Sequence, residues 1–346
     1  MIRKVLAVAA WAVLPLAAPV LAQAQSMALP IDPTADWSVA TSEHRIAVEG
    51  GKVWVRVNGV IGEGADPLII IHGGPGGTHV NFGGLLSLAD QRPVILYDQL
   101  DSGMSDRPEN PANWRPERFV AELEAIRREL GVERWHVIGH SWGSALALEY
   151  AAAYPEHTAS AVLSGTYLST SHWITGTNLL IRELADDVAA VIRACEGPTS
   201  PEPEMCAPAT AAFYAAYNGR ADRPAPSPQA LAYRARYGGK GFNETVYLTM
   251  WGPTEFRASG SLATYDATEL LHRVDGHRIL FMVGQYDEAR IDTVQDFVAL
   301  TAGAELAVVP GGSHAFISER PDVAEAIYRD WMARTDQRID ARKSAE

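Results

Sequence analysis

The chain is poor in cysteine and in positive charge. Among its 346 residues there are 2 cysteines, and 29 lysines and arginines stand against 42 aspartates and glutamates, a formal net charge of -13. Such a surface disfavours nucleic acid and anionic membranes, both of which call for a basic face. The sequence holds no H-E-x-x-H segment and no cysteine-histidine set at metal-ligand spacing. Zinc chemistry of the usual kinds is therefore not expected, and neither is any other cofactor. Internal repeats and low-complexity tracts are also lacking. What remains, 47% hydrophobic and 21% charged, is enough to bury a full α/β core and an insertion.

Long apolar runs are scarce as well, and the one that exists is at the start. Met1-Ile2-Arg3-Lys4 is a short basic region, Val5 to Leu21 is apolar, and Ala22-Gln23-Ala24 offers small residues where a signal peptidase reads. Interrupted by Pro15 and Pro19, about 17 residues make a poor spanning helix. The expectation is an export leader over 1–24, cleaved near Ala24, and a mature protein working in a periplasm or outside the cell without stable membrane insertion. No cysteine lies near the cleavage site to carry a lipid, and loss of Arg3 and Lys4 leaves a net charge of -15.

The most informative stretch is Gly139-His140-Ser141-Trp142-Gly143, which follows the apolar run Trp135 to Ile138 and opens a helical Ala/Leu pattern from Ser144 to Tyr154. A G-x-S-x-G turn between strand and helix lets the backbone bend sharply and lifts the serine hydroxyl above the sheet. Upstream, the strand-like run Pro67 to Ile71 discharges into His72-Gly73-Gly74-Pro75-Gly76-Gly77. Glycines there present bare amides to an oxygen that becomes negative in a tetrahedral intermediate. One oxyanion donor is assigned to the Gly74 amide, with Gly73 the neighbouring candidate, and the other to Trp142, directly after the nucleophile.

In an α/β-hydrolase the order is Ser, then Asp or Glu, then His. After the run Ile279 to Val283 comes Gly284-Gln285-Tyr286-Asp287-Glu288, and after Leu306 to Val309 comes Pro310-Gly311-Gly312-Ser313-His314. Of 10 histidines, His314 alone follows Asp287. Ser141 is thus read as nucleophile, His314 as general base and Asp287 as the carboxylate that orients the imidazole.

The surrounding pattern is strand-like over His44 to Gly59, with Gly50-Gly51 as a turn, and then alternates strand and helix. A helical stripe of Phe119, Leu123, Ile126 and Leu130 ends at Gly131. Alternation stops after Ala161-Val162-Leu163 and resumes at Ile279. Between them the chain reads as helices broken by proline-rich loops at Pro198 to Pro208 and Arg223 to Pro228. The expected fold is an α/β-hydrolase with a mostly parallel sheet: core over 25–164 and 263–346, and a helical cap inserted over 165–262. Cys195 and Cys206 lie in that cap on either side of a stretch rich in proline and glutamate, and a close pair in an exported protein suggests a disulfide.

His72-Gly73-Gly74-Pro75-Gly76-Gly77, Tyr97-Asp98-Gln99 leading to Ser102-Gly103-Met104-Ser105, and Gly139-His140-Ser141-Trp142-Gly143 together resemble the prolyl aminopeptidase (proline iminopeptidase) family. That resemblance covers essentially the whole mature chain. It implies a capped α/β-hydrolase that cleaves an N-terminal residue from peptides, and a cis bond at Gly74-Pro75. Met250-Trp251-Gly252-Pro253-Thr254-Glu255-Phe256, with Gly284 to Glu288, is similar to the tricorn-interacting aminopeptidase branch and its amino acid amidase relatives. This implies that Glu255 and Glu288 hold the substrate's ammonium. Asp101 stands where the family usually has glycine, and Met104 where a basic residue is common. His79, Trp173 and Trp251 are candidates for the pocket wall and are left unassigned.

The reading is an exported serine aminopeptidase acting on a peptide or amino acid amide with a free N-terminus, through an acyl-enzyme. Two alternatives stand beside it: a carboxylesterase or lactonase on the same scaffold, and a catalytically silent binding protein.

Overall fold

A computed structural model of the chain describes residues 42–62, 64–197, 202–220, 228–236 and 241–344. The leader and its cleavage site near Ala24 lie outside the described residues, as does most of the loop Arg223 to Pro228.

Eight strands form one sheet: β1 (Ser42–Val48), β2 (Gly51–Asn58), β3 (Leu68–Ile71), β4 (Val94–Asp98), β5 (Trp135–His140), β6 (Thr158–Ser164), β7 (Ile279–Gly284) and β8 (Glu305–Val309). Their order across the sheet is β1-β2-β4-β3-β5-β6-β7-β8. β2 runs antiparallel to β1 and β4, and every other pairing is parallel. This is the expected α/β-hydrolase architecture.

The parallel strands from β3 to β7 are buried apolar runs because helices cover both faces. Alternate residues divide between two cores, as a period of two requires. Ile69, Ile71, Val137, Phe281 and Val283 pack on one face with α1 (Pro116–Glu129), α2 (Trp142–Ala153) and Phe297. Leu68, Ile70, Ile138, Leu280 and Met282 pack on the other with Leu85, Phe316, Tyr328 and Trp331. The edge strand β8 is only partly covered.

Between β6 and β7 the chain builds the helical insert: α3 (Thr170–Ile181), α4 (Asp186–Cys195), α5 (Pro203–Tyr217), α6 (Pro228–Ala235) and α7 (Glu244–Met250). It has a small core of its own, including Ile181, Ile192, Phe213 and Phe256. The chain then completes the sheet, adding α8 (Ile291–Leu300), α9 (Phe316–Glu319) and α10 (Pro321–Lys343). One detail departs from the sequence reading. Pro203 to Pro208, expected to be loop, forms the start of α5. Proline suits the first helical position, where the missing N-H would have no intrahelical partner, and Pro203 sits there. The sulfurs of Cys195, ending α4, and Cys206, in α5, are bonded, with Cα atoms 5.8 Å apart.

From β3 the chain passes to β4 on one side and β5 on the other. The crevice at such a switch point is where open α/β sheets receive ligands. The glycine loop after β3 and Ser141 after β5 both open into it.

Candidate active site

Ser141 lies between the end of β5 and the first residue of α2, at φ 55° and ψ -126°. A non-glycine residue there is strained by roughly 1–3 kcal/mol and persists only when its surroundings enforce it. They do. The Ser141 amide donates to the Ser164 carbonyl at 2.9 Å, and the Ser144 hydroxyl donates to the Ser141 carbonyl at 2.6 Å. The flanking glycines are sterically required: a Cβ on Gly139 would fall 2.0 Å from the Gly143 oxygen, and one on Gly143 2.3 Å from the Ile71 oxygen.

The glycine loop crosses directly over this turn. A Cβ on Gly73 would lie 2.7 Å from the Ser141 Cβ, so only glycine leaves room at the serine. Gly74 has φ 114°, and Gly74-Pro75 is cis. Trp142, as first residue of α2, has an amide with no intrahelical acceptor. Gly74, Ser141 and Trp142, the residues whose amides and hydroxyl the sequence assigns to the reaction, line one small cavity.

What holds the two amides together went unassigned in the sequence reading. Gln99, buried at the end of β4, donates from Nε2 to the His72 carbonyl at 2.8 Å and accepts the Trp142 indole N-H at Oε1, 3.2 Å away. Its own amide donates to Nε2 of His72 at 2.9 Å, which leaves the Nδ1 proton of His72 for the Gly73 carbonyl at 3.0 Å. Burial lowers His72 to about 4, so the ring is neutral, as this tautomer needs. Gln99 thus ties the glycine loop to the residue after Ser141. Its only sequence signal was membership in the Tyr97-Asp98-Gln99 motif.

Asp287 follows β7, and His314 follows β8. Nδ1 of His314 lies 2.7 Å from Oδ1 of Asp287. The carboxylate is held by amide donors as well, Ala289 to Oδ1 at 2.9 Å and Gly284 to Oδ2 at 3.1 Å, so only one orientation satisfies it. His314 and Ser141 line a common cavity of about 50 Å³ with Gly74, Asn218 and Glu255.

Glu255 and Glu288 come from different parts of the chain and meet at this imidazole. Oε1 of Glu288 stands 3.8 Å from Nε2 of His314 and accepts from Asn218 Nδ2 at 2.7 Å, while its Oε2 is buried with no hydrogen-bond partner among the described residues. Glu255 accepts the Tyr247 hydroxyl at 2.6 Å, and its carbonyl accepts the Trp173 indole at 3.0 Å. Burial raises both glutamates above the usual carboxylate range, and for Glu288 the charge of Glu255 pushes further the same way. Burial alone would lower His314; the charges of Asp287, Glu288 and Glu255 outweigh it and raise the imidazole to about 9.

Trp173 and Trp251 help line the cavity that holds Ser141, joined by Tyr167 and Leu262. His79 is instead buried against the sheet, its Nδ1 2.9 Å from Asp98 and its Nε2 2.8 Å from the Tyr233 hydroxyl of α6. Asp101 explains why glycine is favoured there: it sits at φ 67°. The aspartate is held by the Glu109 amide at 2.7 Å and the Trp114 indole at 2.8 Å. Among the described residues, one cluster has metal-ligand geometry, Asp66 with His136 and Asp336. Its carboxylates are already paired with Arg134 and Arg92, both at 2.7 Å.

A family model described as alpha/beta hydrolase fold matches residues 66–200. The chain is 34% identical over 292 residues to a proline iminopeptidase of Heyndrickxia coagulans, covering 84% of this chain and 98% of that one. A proline iminopeptidase of Levilactobacillus brevis is 31% identical over 300 residues, covering 84% and 95%. The crystal structure of the proline iminopeptidase of Mycobacterium smegmatis superposes with a TM-score of 0.75 at 31% identity, covering 86% of this chain and 100% of that one. With the α/β-hydrolase sheet and likeness along nearly the full length of these relatives, the chain belongs to the proline iminopeptidase family of serine hydrolases.

Proposed function

We propose that this protein is an exported aminopeptidase that releases an N-terminal residue, proline or another small apolar amino acid, from peptides or amino acid amides. Ser141 attacks the carbonyl of that residue, and His314 removes the hydroxyl proton while Asp287 keeps its Nδ1 side occupied. The amides of Gly74 and Trp142 receive the oxyanion. His314 then protonates the departing amine, and water repeats the cycle on the acyl-enzyme. Glu255 and Glu288 hold the substrate ammonium, as the tricorn-interacting aminopeptidase and amidase branch would have it. The segment over 165–262 acts as the cap that closes over the substrate.

One observation carries this reading. Glu255 lines the cavity that holds Ser141 and His314, Glu288 is buried 3.8 Å from that imidazole, and Glu288 keeps an oxygen without a hydrogen-bond partner among the described residues. An ammonium satisfies them, whereas an acylated nitrogen leaves them unpaired, so discrimination is built into the site. The aromatic wall of Trp173, Trp251 and Tyr167 suits a small apolar side chain. The test compares prolyl- and alanyl-arylamides with their N-acetylated forms. Wild type should lose most of its kcat/KM on acetylation, and Glu255→Gln should lose roughly 2–5 kcal/mol of transition-state stabilisation on the free amine only. Equal hydrolysis of free and acetylated substrates by the wild type would turn the assignment to an esterase.

A further inference from the structure

The proposed amine clamp leaves one feature unexplained. A carboxylate needed only to bind an ammonium has no reason to face the reactive nitrogen of the general base, yet Glu288 Oε1 stands 3.8 Å from Nε2 of His314. Nε2 is the atom that must take the proton of Ser141.

We propose that Glu288 is a substrate-operated switch on the general base. In the free enzyme its charge, 3.8 Å away, holds a proton on Nε2 of His314, and the ammonium of an entering substrate draws Glu288 to itself, expels that proton and leaves Nε2 able to accept from Ser141. This rests on the amine-clamp reading and adds a second role for the same carboxylate.

The surroundings of His314 are one-sided in charge. From the loop after β7 come Asp287, 2.7 Å from Nδ1, and Glu288. From the segment after α7 comes Glu255, whose charge also acts on the ring. The end of β5 contributes His140, its ring tilted against that of His314 with centroids 4.7 Å apart and kept neutral by burial. α3 supplies the Trp173 ring at 5.6 Å. The end of α5 supplies the Tyr217 carbonyl, which accepts the His314 amide, and the Asn218 amide on Glu288. Tyr214 and Tyr247, both buried, surround Glu255 and stay neutral. The arginine nearest Glu288 along the chain, Arg290, is turned to Asp292 and Glu183.

Three buried carboxylates therefore bear on one imidazole, and among the described residues lining the two cavities at Ser141 there is no lysine or arginine to offset them. Three negative charges in a dry site cannot stand together with one neutral imidazole, so the cluster holds protons at neutral pH, as the raised His314 and Glu288 both indicate. The protons belong to the cluster rather than to either residue alone. A bound ammonium supplies the missing positive charge, and the displaced proton leaves to water through the cavity mouth. Charge balances: one cation enters and one proton departs. The consequence is selectivity beyond binding, because an acyl compound without an amine meets a base that is already protonated.

The test uses pyrrolidinium, a cation throughout the range that carries no carbonyl, and a small fluorophosphonate that labels the serine without an amine. Pyrrolidinium binding is followed at pH 7 by calorimetry in buffers of different ionisation enthalpy, which counts protons released. The wild type should release close to one proton per ligand, and Glu288→Gln, which keeps an acceptor for Asn218, clearly fewer. Labelling of the wild type by fluorophosphonate should rise about tenfold per pH unit between 7 and 8. With Glu288→Gln the same profile should move to lower pH, so that labelling at pH 7 becomes at least several-fold faster. Pyrrolidinium binding without proton release, or an unshifted labelling profile in Glu288→Gln, overturns the switch and leaves the clamp standing. Absence of pyrrolidinium binding, together with equal turnover of acetylated substrates, overturns the clamp and the switch with it.

Discussion

Replacing Gln99 by leucine should separate catalysis from substrate binding. The side chain is buried, donates to the His72 carbonyl at 2.8 Å and accepts the Trp142 indole at 3.2 Å. Leucine fills much of the same volume but leaves that carbonyl and that indole N-H unpaired. At roughly 1–3 kcal/mol for each buried group left unsatisfied, stability should fall by roughly 2–6 kcal/mol. The catalytic effect has a different origin. Gln99 links the two segments that carry the Gly74 and Trp142 amides, and a shift of about 1 Å between them costs on the order of 10²-fold in rate. Loss of one donor outright costs about 10²–10³-fold. Neither change touches the proposed clamp or the aromatic wall, so kcat should drop by about 10²-fold while KM stays within a few-fold. A boronate that forms a tetrahedral serine adduct reports the same loss independently, and its Kd should weaken in step with kcat. Urea unfolding, steady-state kinetics and boronate titration on the folded variant suffice. If the variant is destabilised yet keeps wild-type kcat and boronate affinity, Gln99 is a core residue only.

Ser141→Ala should fold normally and lose nearly all turnover, with a residual rate of ~10³ to 10⁴-fold over water from the oxyanion donors and binding. Asp287→Asn should be severe and should not add to Ser141→Ala; near-normal rates in Asp287→Ala would shift the orienting role to Glu288. Replacing Cys195 and Cys206 by serine opens an 11-residue separation and should cost at most ~3 kcal/mol, read as a lower Tm of the purified protein, and alkylation of native protein without reductant should label no thiol. His314 is raised from 6.5 to about 9, so its contribution to stability is fully present below pH 6.5 and is lost as pH rises to about 9. Urea midpoints should fall across that window, and less steeply in Asp287→Asn; a wild-type midpoint flat from pH 6.5 to 9 would show that the cluster does not hold the imidazolium.

The parts of this protein that were legible in the chain are those in which backbone geometry dictates residue type over a short span. Ser141 could be placed because a strand turning sharply into a helix needs small neighbours, and a Cβ at Gly139 or Gly143 would strike backbone within 2.3 Å. The buried parallel strands announced themselves as continuous apolar runs, since both faces are covered. Asp287 and His314 followed from chain order at strand ends. The start of α5 was misread as loop because composition does not distinguish a proline that opens a helix from one that ends it. Gln99 was opaque for a different reason. A hydrogen bond joining residues 43 positions apart has no local period, cap or turn to betray it. The same holds for Glu288 and His314, whose 3.8 Å approach depends on β7 and β8 lying side by side. It holds too for Tyr247, Asn218 and Trp173, which the insert brings to the two glutamates. Local sterics are written in neighbouring residues; the charge environment of His314 exists only once distant segments share one dry cavity.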